Sequence, residues 1–310
     1  MKKLLACILS ACLLSVALTG CGGEDTKTIR IYDGTFTESS LIHKMVELLV
    51  EEHTDAEVEI LDQMAAVSNF KDLSSDNPSC ELMNCYDGVL LTSYLKIDPS
   101  EVPEGISLYD YANQIAEEQY QVHLLDQIGT DNTYAIAVTQ EVVDKYNPQT
   151  ISDLVEIAPE LRFGAEHAFF TLEGSMKYGP FCEAYGLNFK EHIAIDNSLK
   201  YSAVENGNFD VMVVYATDGL NRKAGLKVLE DDLGFFPEYN GALLVRDAIF
   251  EEFADVAPNL EEVLNMLGGQ FTNEDMTDLT YAVDVEGRDL TEVAREALEW
   301  AKTQNGTVMI

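Results

Sequence analysis

The sequence predicts an α/β fold of two lobes with a ligand held between them. Three observations predict it. Strand-like and helix-like patterns alternate along the chain twice over, residues 28–60 read as a strand–helix–strand unit, and a six-residue frame ending in tyrosine occurs twice.

Thr28-Ile29-Arg30-Ile31-Tyr32 has the character of a short strand, and Asp33-Gly34-Thr35 breaks it. From Glu38 to His53, apolar residues recur at Leu41, Ile42, Met45, Val46 and Leu49, which is helical spacing with Thr37 or Ser39 as cap. Val58 and Ile60 then alternate with Glu57 and Glu59 as a second strand. A βαβ unit implies a parallel sheet with a right-handed crossover. Ligands of open α/β sheets sit beyond the carboxyl ends of the strands, so the 33–35 loop is of the kind that faces one. Further helices are expected at 63–74, 108–127, 140–146, 152–158, 174–186 and 198–206. Further strands are expected at 82–86, 133–139, 161–164, 209–215 and 241–246. From Asp247 onward the pattern is helical, interrupted at Pro258 and Gly268-Gly269. The repeated frame is Glu81-Leu82-Met83-Asn84-Cys85-Tyr86 and Asp210-Val211-Met212-Val213-Val214-Tyr215, each an acid, a mostly apolar run and a tyrosine before a glycine turn. Two lobes of like topology, each ending a strand on tyrosine, would produce it.

The 310 residues are 46% hydrophobic, enough for packed cores, and carry 55 acids against 19 bases for a net charge of −36. Such a chain repels phosphate backbones and anionic membrane surfaces, which excludes nucleic-acid binding. A cationic ligand is compatible with the charge; a solvated acidic surface accounts for most of it.

The N-terminus reads as an address. Lys2 and Lys3 precede an apolar run from Leu4 to Leu18, shorter than the roughly 20 residues of a membrane span. Leu18-Thr19-Gly20-Cys21 resembles the bacterial lipobox. That resemblance implies a signal peptide over 1–20, a diacylglyceryl group on the Cys21 thiol, a polar tether over 21–27 and a protein anchored by lipid on the extracytoplasmic side of the cell membrane. Of the remaining cysteines, Cys80 and Cys85 either form a disulfide or stay free, and Cys182 is left over.

Motifs of hydrolases and transferases are absent: no G-x-S-x-G elbow, P-loop, H-E-x-x-H or post-strand G-x-G-x-x-G. No Cys/His spacing resembles zinc ligation, and neither a metal nor a cofactor is implied. Glu230-Asp231-Asp232 reads as a solvated turn, and Glu166 beside His167 as structural. The tyrosines are more informative. Tyr86, Tyr134, Tyr215 and Tyr239 each stand near Gly, Asn or Pro in turn-like contexts. Clustered aromatic faces hold a quaternary ammonium, which has no N–H to donate, at roughly 0.5 to 2 kcal/mol per face.

From Thr28 to about Lys302 the chain resembles the glycine betaine/carnitine/choline-binding lipoproteins of osmoprotectant ABC importers. The resemblance is strongest at Asn132-Thr133-Tyr134-Ala135, at 214–219, at Gly225–Asp232 running into Phe236-Pro237-Glu238-Tyr239, and at Met276–Asp284. It implies the type II periplasmic-binding-protein fold, with lobe 1 over 28–133 plus 238–310 and lobe 2 over 134–237. It places the four tyrosines on the aromatic cage, with Asp218 in the turn beside it and Gly34, Thr35, Asp87, Asn132 and Thr133 at the ligand. It implies a monomer that captures a small quaternary amine rather than a catalyst, and delivers it to an ABC permease with a cytoplasmic ATPase. The same fold for an amino acid or polyamine, or a secreted enzyme on a similar scaffold, are the alternatives. The chain departs from the family at Gly34 (commonly Gln), Val89 (often Thr), Glu238 (usually Pro) and Leu172 (often Arg). The first two help hold a ligand carboxylate. Their loss, with Asp33 and Asp87 nearby, points to a cation without a carboxylate, such as choline.

Overall fold

The computed structural model describes residues 27–171, 174–196 and 199–304. The signal, Cys21, most of the tether and Leu172 lie outside them. Strands β1 (Thr28–Tyr32) and β2 (Glu57–Leu61) pair in parallel across the helix Thr37–His53, which is the predicted βαβ unit. That helix buries Leu41, Ile42, Met45, Val46 and Leu49 on one stripe. Its N-cap is Phe36 rather than Thr37 or Ser39, and no side chain caps it.

Strands β3 (Leu82–Tyr86), β4 (Val122–Leu124) and β10 (Gly241–Arg246) form an antiparallel sheet in the order β3-β10-β4. The other lobe is built on five strands in the order β7-β6-β8-β5-β9. They are β5 (Tyr134–Thr139), β6 (Arg162–Glu166), β7 (Glu191–Ile195), β8 (Val211–Tyr215) and β9 (Leu226–Val228). The sheets are therefore mixed rather than parallel throughout. The exceptions are β5 and β10, which follow the segments where the chain passes between lobes. A strand entered from the crossing starts where its neighbours end, so it runs against them.

Central strands are buried on both faces, with side chains alternating between two cores. In β8, Val211 and Val213 pack with Phe163, Phe169 and Phe181, while Met212 and Val214 pack with Phe209 and Ala203. In β10, Leu243 and Val245 join the core under the first helix, and Ala242 and Leu244 the core with Phe70 and Tyr94. Helices over Ile249–Glu252, Leu260–Asn265, Asn273–Asp284 and Leu290–Gln304 follow, broken where Pro258 and Gly268-Gly269 predicted.

Several elements differ from expectation. The helix expected over 108–127 ends at Tyr120, where Gln121 adopts a left-handed conformation (φ 56°), and β4 follows. In place of the helix expected over 152–158 stand two short 3₁₀ turns, Ser152–Leu154 and Ala158–Glu160. The helix expected from 174 begins at Tyr178, because Gly174–Lys177 reaches toward the opposite lobe. Cys80, Cys85 and Cys182 are free thiols. No helix among the described residues is long and apolar enough to cross a membrane.

The repeated sequence frame has a structural cause. Glu81, just before β3, donates its N–H to Arg30 O at 2.9 Å. Its carboxylate accepts the Arg30 N–H (2.6 Å) and guanidinium (2.8 Å). Asp210, just before β8, repeats each contact with Arg162: N–H to O at 3.0 Å, and carboxylate to N–H and Nη2 both at 2.8 Å. In each lobe an acid thus splices two neighbouring strands where a ladder bond would otherwise lie. Glu81 is the more deeply buried, with a side chain 5% exposed against 19%, and also faces Arg246 at 3.9 Å. Removing one partner of a buried ion pair costs about 3–5 kcal/mol, a surface pair about 1 kcal/mol or less. Glu81→Ala should therefore lower the urea midpoint markedly more than Asp210→Ala; equal losses would contradict this ranking.

Candidate functional site

The strand register brings the tyrosines together. Tyr134, first in β5, pairs with Tyr215, last in β8, and Gly241, first in β10, pairs with Tyr86, last in β3. Tyr239 lies two residues before Gly241 in the crossing segment. All four line one cleft between the lobes, with a volume of about 970 Å³. The Tyr134 and Tyr215 rings stack with centroids 5.5 Å apart and 24° between planes, and Phe36 meets Tyr215 edge-on at 6.0 Å. Burial raises the pKa of each of the four phenols, so the walls are neutral rings presenting quadrupoles rather than phenolates. Tyr134 Oη donates to Glu166 Oε1 at 2.6 Å, and Asn132 Nδ2 lies 3.4 Å from Tyr86 Oη.

The other predicted residues divide. Thr35, Asn132 and Asp218 line the cleft; Gly34, Asp87 and Thr133 are not among its lining residues. Gly34 lies against the first helix, where a β-carbon would come within 2.4 Å of Ser39 Cβ. The Thr133 hydroxyl donates to Pro237 O (2.8 Å), tying the two crossing segments. Asp87 is fully buried beneath Tyr239. It accepts N–H bonds from Gly88 (2.6 Å) and Asn240 (2.8 Å), and an amide bond from Asn240 Nδ2 (2.9 Å). It fixes the crossing segment that carries Tyr239. Gly88 completes that fixing: a β-carbon there would lie 1.9 Å from Tyr239 Cε1, so only glycine lets the ring lie against the chain. Asp33 points to His43 Nδ1 (3.3 Å) and to the Gly34 N–H (2.8 Å), and it too does not line the cleft. Neither Asp33 nor Asp87 therefore lines the cleft.

Sequence reading missed three charged residues. Glu38, only 4% exposed, lines the cleft and accepts from the Thr217 hydroxyl across the lobes and from Asn132 Nδ2 at 3.2 Å. Burial raises its pKa, opposed by the hydroxyls of Thr217, Tyr86 and Thr130. Lys200, 6% exposed, holds its ammonium 4.6 Å from the Tyr215 ring centre and 4.8 Å from that of Tyr201. Burial lowers its pKa, and Asp218, 3.8 Å away, opposes that. Lys177 lines the cleft from the second lobe. Glu38 stood in plain view in the first helical turn, but neither lysine belongs to a spacing that would single it out.

At the cleft mouth the Ser175 hydroxyl and N–H donate to Asp98 of the first lobe at 2.9 and 3.2 Å. Bonds from Ser100 and Ser175 hold the Asp98 carboxyl down at about 2. Asp218 accepts the Tyr201 hydroxyl and the Leu220 N–H (3.0 Å). Asp231 accepts the Tyr185 hydroxyl and the N–H groups of Phe235 and Phe236, so the 230–232 acids order a loop. No group of three or more metal-ligating side chains occurs among the described residues.

Burial pushes the Asp87 carboxyl up to about 6 despite its hydrogen bonds. The folded chain then holds this proton more tightly than the unfolded chain, whose aspartates titrate near 3.9. The resulting stabilisation, about 2–3 kcal/mol, is full below about pH 4 and lost as pH rises through about 6. Wild-type melting temperature should accordingly fall relative to that of Asp87→Asn between pH 4 and pH 7, and a pH-independent difference would contradict it. Gly88→Ala should displace Tyr239 and weaken ligand binding at least tenfold by titration calorimetry with little change in melting temperature.

A family model described as the substrate-binding domain of ABC-type glycine betaine transport system matches residues 27–299. The chain is 30% identical over 306 residues to the carnitine transport binding protein of Listeria monocytogenes, covering 96% of this chain and 97% of that one. It is 27% identical over 301 residues to the glycine-betaine-binding protein of Pseudomonas aeruginosa, covering 94% and 93%. Among solved structures, one titled as a glycine betaine/carnitine/choline ABC transporter superposes with a TM-score of 0.76 at 27% identity, over 88% of this chain and 98% of that one.

Proposed function

This chain belongs to the family of substrate-binding domains of ABC-type glycine betaine transport systems, and from that premise we propose that it captures a quaternary ammonium compound in its tyrosine cleft for import. The fold is the two-lobed type II periplasmic-binding-protein architecture. The observation that carries the ligand class is the convergence of four neutral phenol rings, contributed by both lobes, on one cleft. A methylated cation offers no N–H, and ring faces attract it at low desolvation cost. Lys200 supplies an internal precedent, a buried ammonium already resting on Tyr215.

The action is capture rather than turnover. Rings from both lobes reward closure, and the ligand shifts the open–closed equilibrium by its greater affinity for the closed form. The closed monomer then docks on an ABC permease driven by a cytoplasmic ATPase. Cleavage before Cys21 and acylation of its thiol anchor it outside the cytoplasm, with 21–27 as tether. The lobes are assigned as 28–133 plus 238–310 and 134–237. Support for those bounds comes from β10, which follows the second crossing and hydrogen-bonds with β3 and β4.

Calorimetry with choline, glycine betaine and carnitine tests the reading, with the uncharged carbon isostere of choline, 3,3-dimethylbutanol, as control. At least one of the three cations should bind in the micromolar range and the isostere at least tenfold more weakly. Tyr215→Ala should cost about 1–2 kcal/mol, roughly 5- to 30-fold in Kd. Equal binding of the isostere, or an unchanged Kd in the variant, would sink the cage.

A further inference from the structure

Lys200 stands behind the cage. It opens the short helix Lys200–Glu205, and its side chain is buried. It is not among the residues lining the interlobe cleft. It closes a second cavity with Glu166, Tyr134, Tyr215 and neighbouring residues of β8, a space of about 10 Å³ that has room for about one water and none for a ligand. Tyr134 and Tyr215 line both spaces, so this stacked ring pair parts the cleft from the lysine ammonium. The ammonium lies 4.6 Å from the centre of the Tyr215 ring and 4.8 Å from that of Tyr201. Asp218 Oδ2, at 3.8 Å, is farther than a hydrogen bond reaches. Glu166 is committed to the Tyr134 hydroxyl at 2.6 Å. The two ring faces therefore solvate much of this buried charge.

A ring that already faces one cation attracts a second less, because the two repel across it with little water between them to screen the field. Asp218 adds to the effect in the same sense. It lines the cleft, and the same ammonium offsets part of its charge before any ligand arrives. We infer that Lys200 sets the affinity of the site: it is a tethered cation behind Tyr215 that weakens the attraction of the cage for the ammonium of the ligand. The inference rests on the tyrosine-cage reading and adds to it a residue that the ligand never touches. A cage weakened in this way gives its solute up sooner, since affinity differences among variants of one site lie mostly in the dissociation rate. Delivery requires that release.

Direct and competitive calorimetric titration of choline and 3,3-dimethylbutanol into wild type, Lys200→Met and Lys200→Arg tests the inference, with melting temperatures to confirm folding. The two ligands share a shape and differ in charge. The ratio of their dissociation constants therefore reads the attraction of the cage for charge and cancels a change of fit. In Lys200→Met choline should bind at least threefold tighter than in wild type, and the ratio should widen at least threefold in favour of choline. Lys200→Arg keeps the charge, and its ratio should stay nearer that of wild type than that of Lys200→Met. A smaller gain, a loss of choline affinity, or an arginine variant that shifts as far as the methionine one would overturn the inference. Should Lys200→Met not fold, Lys200→Gln is read against the same thresholds. Failure of the cage itself shows elsewhere, in wild type that binds choline and its isostere equally.

Discussion

The whole site depends on one topological constraint: the chain passes between the lobes and enters β5 and β10 at their cleft ends. Each of these strands must run antiparallel to the strand that ends beside it. Tyr134 therefore sits opposite Tyr215, and Gly241 opposite Tyr86, with Tyr239 in the crossing itself. Rings that are far apart in sequence become walls of one cleft because a strand's beginning and another's end share a position in the ladder. A parallel continuation would have carried the first residue of β5 and of β10 to the far edge of its sheet.

That arrangement is held by polar contacts beneath the rings. Asp87 accepts three hydrogen bonds under the crossing segment, yet burial still makes its charged form costly. The fold accepts that cost to fix the position of Tyr239, and Gly88 removes the side chain that would otherwise push the ring away. Glu81 and Asp210 brace the strands that carry Tyr86 and Tyr215 in the same way in both lobes. The cleft thus presents ring faces whose placement is set by carboxylates that do not themselves line it.

Much of this was legible in the sequence, for identifiable reasons. The first βαβ unit follows from helical and alternating periodicities in successive windows, and the repeated acid-to-tyrosine frame reflects a brace used twice. Strands β4, β7 and β9 were not legible. They are short edge strands of three to five residues, with too little alternation to register as a pattern. The placement of Asp87, Gly34 and Thr133 could not be read either, because being next to a cage residue in sequence does not fix which way a side chain points. Asp87 adjoins Tyr86 and turns under Asn240 instead of into the cleft. Lys177 and Lys200 were invisible because a single lysine in an irregular or short helical segment carries no periodic signal.

Net charge gives a misleading view of such a site. An excess of 36 negative charges raises the background potential everywhere, but the Debye length at physiological salt is about 8 Å. What a bound ligand meets is the short-range field of the groups lining the cleft. There the acids accept from hydroxyls, backbone N–H groups and amides, and Oε1 of Glu38 is left without a hydrogen-bond partner among the described residues. The ring faces attract a cation whatever the surface charge. Ring placement and local hydrogen bonding, more than the sum over the chain, therefore set the field inside the cleft.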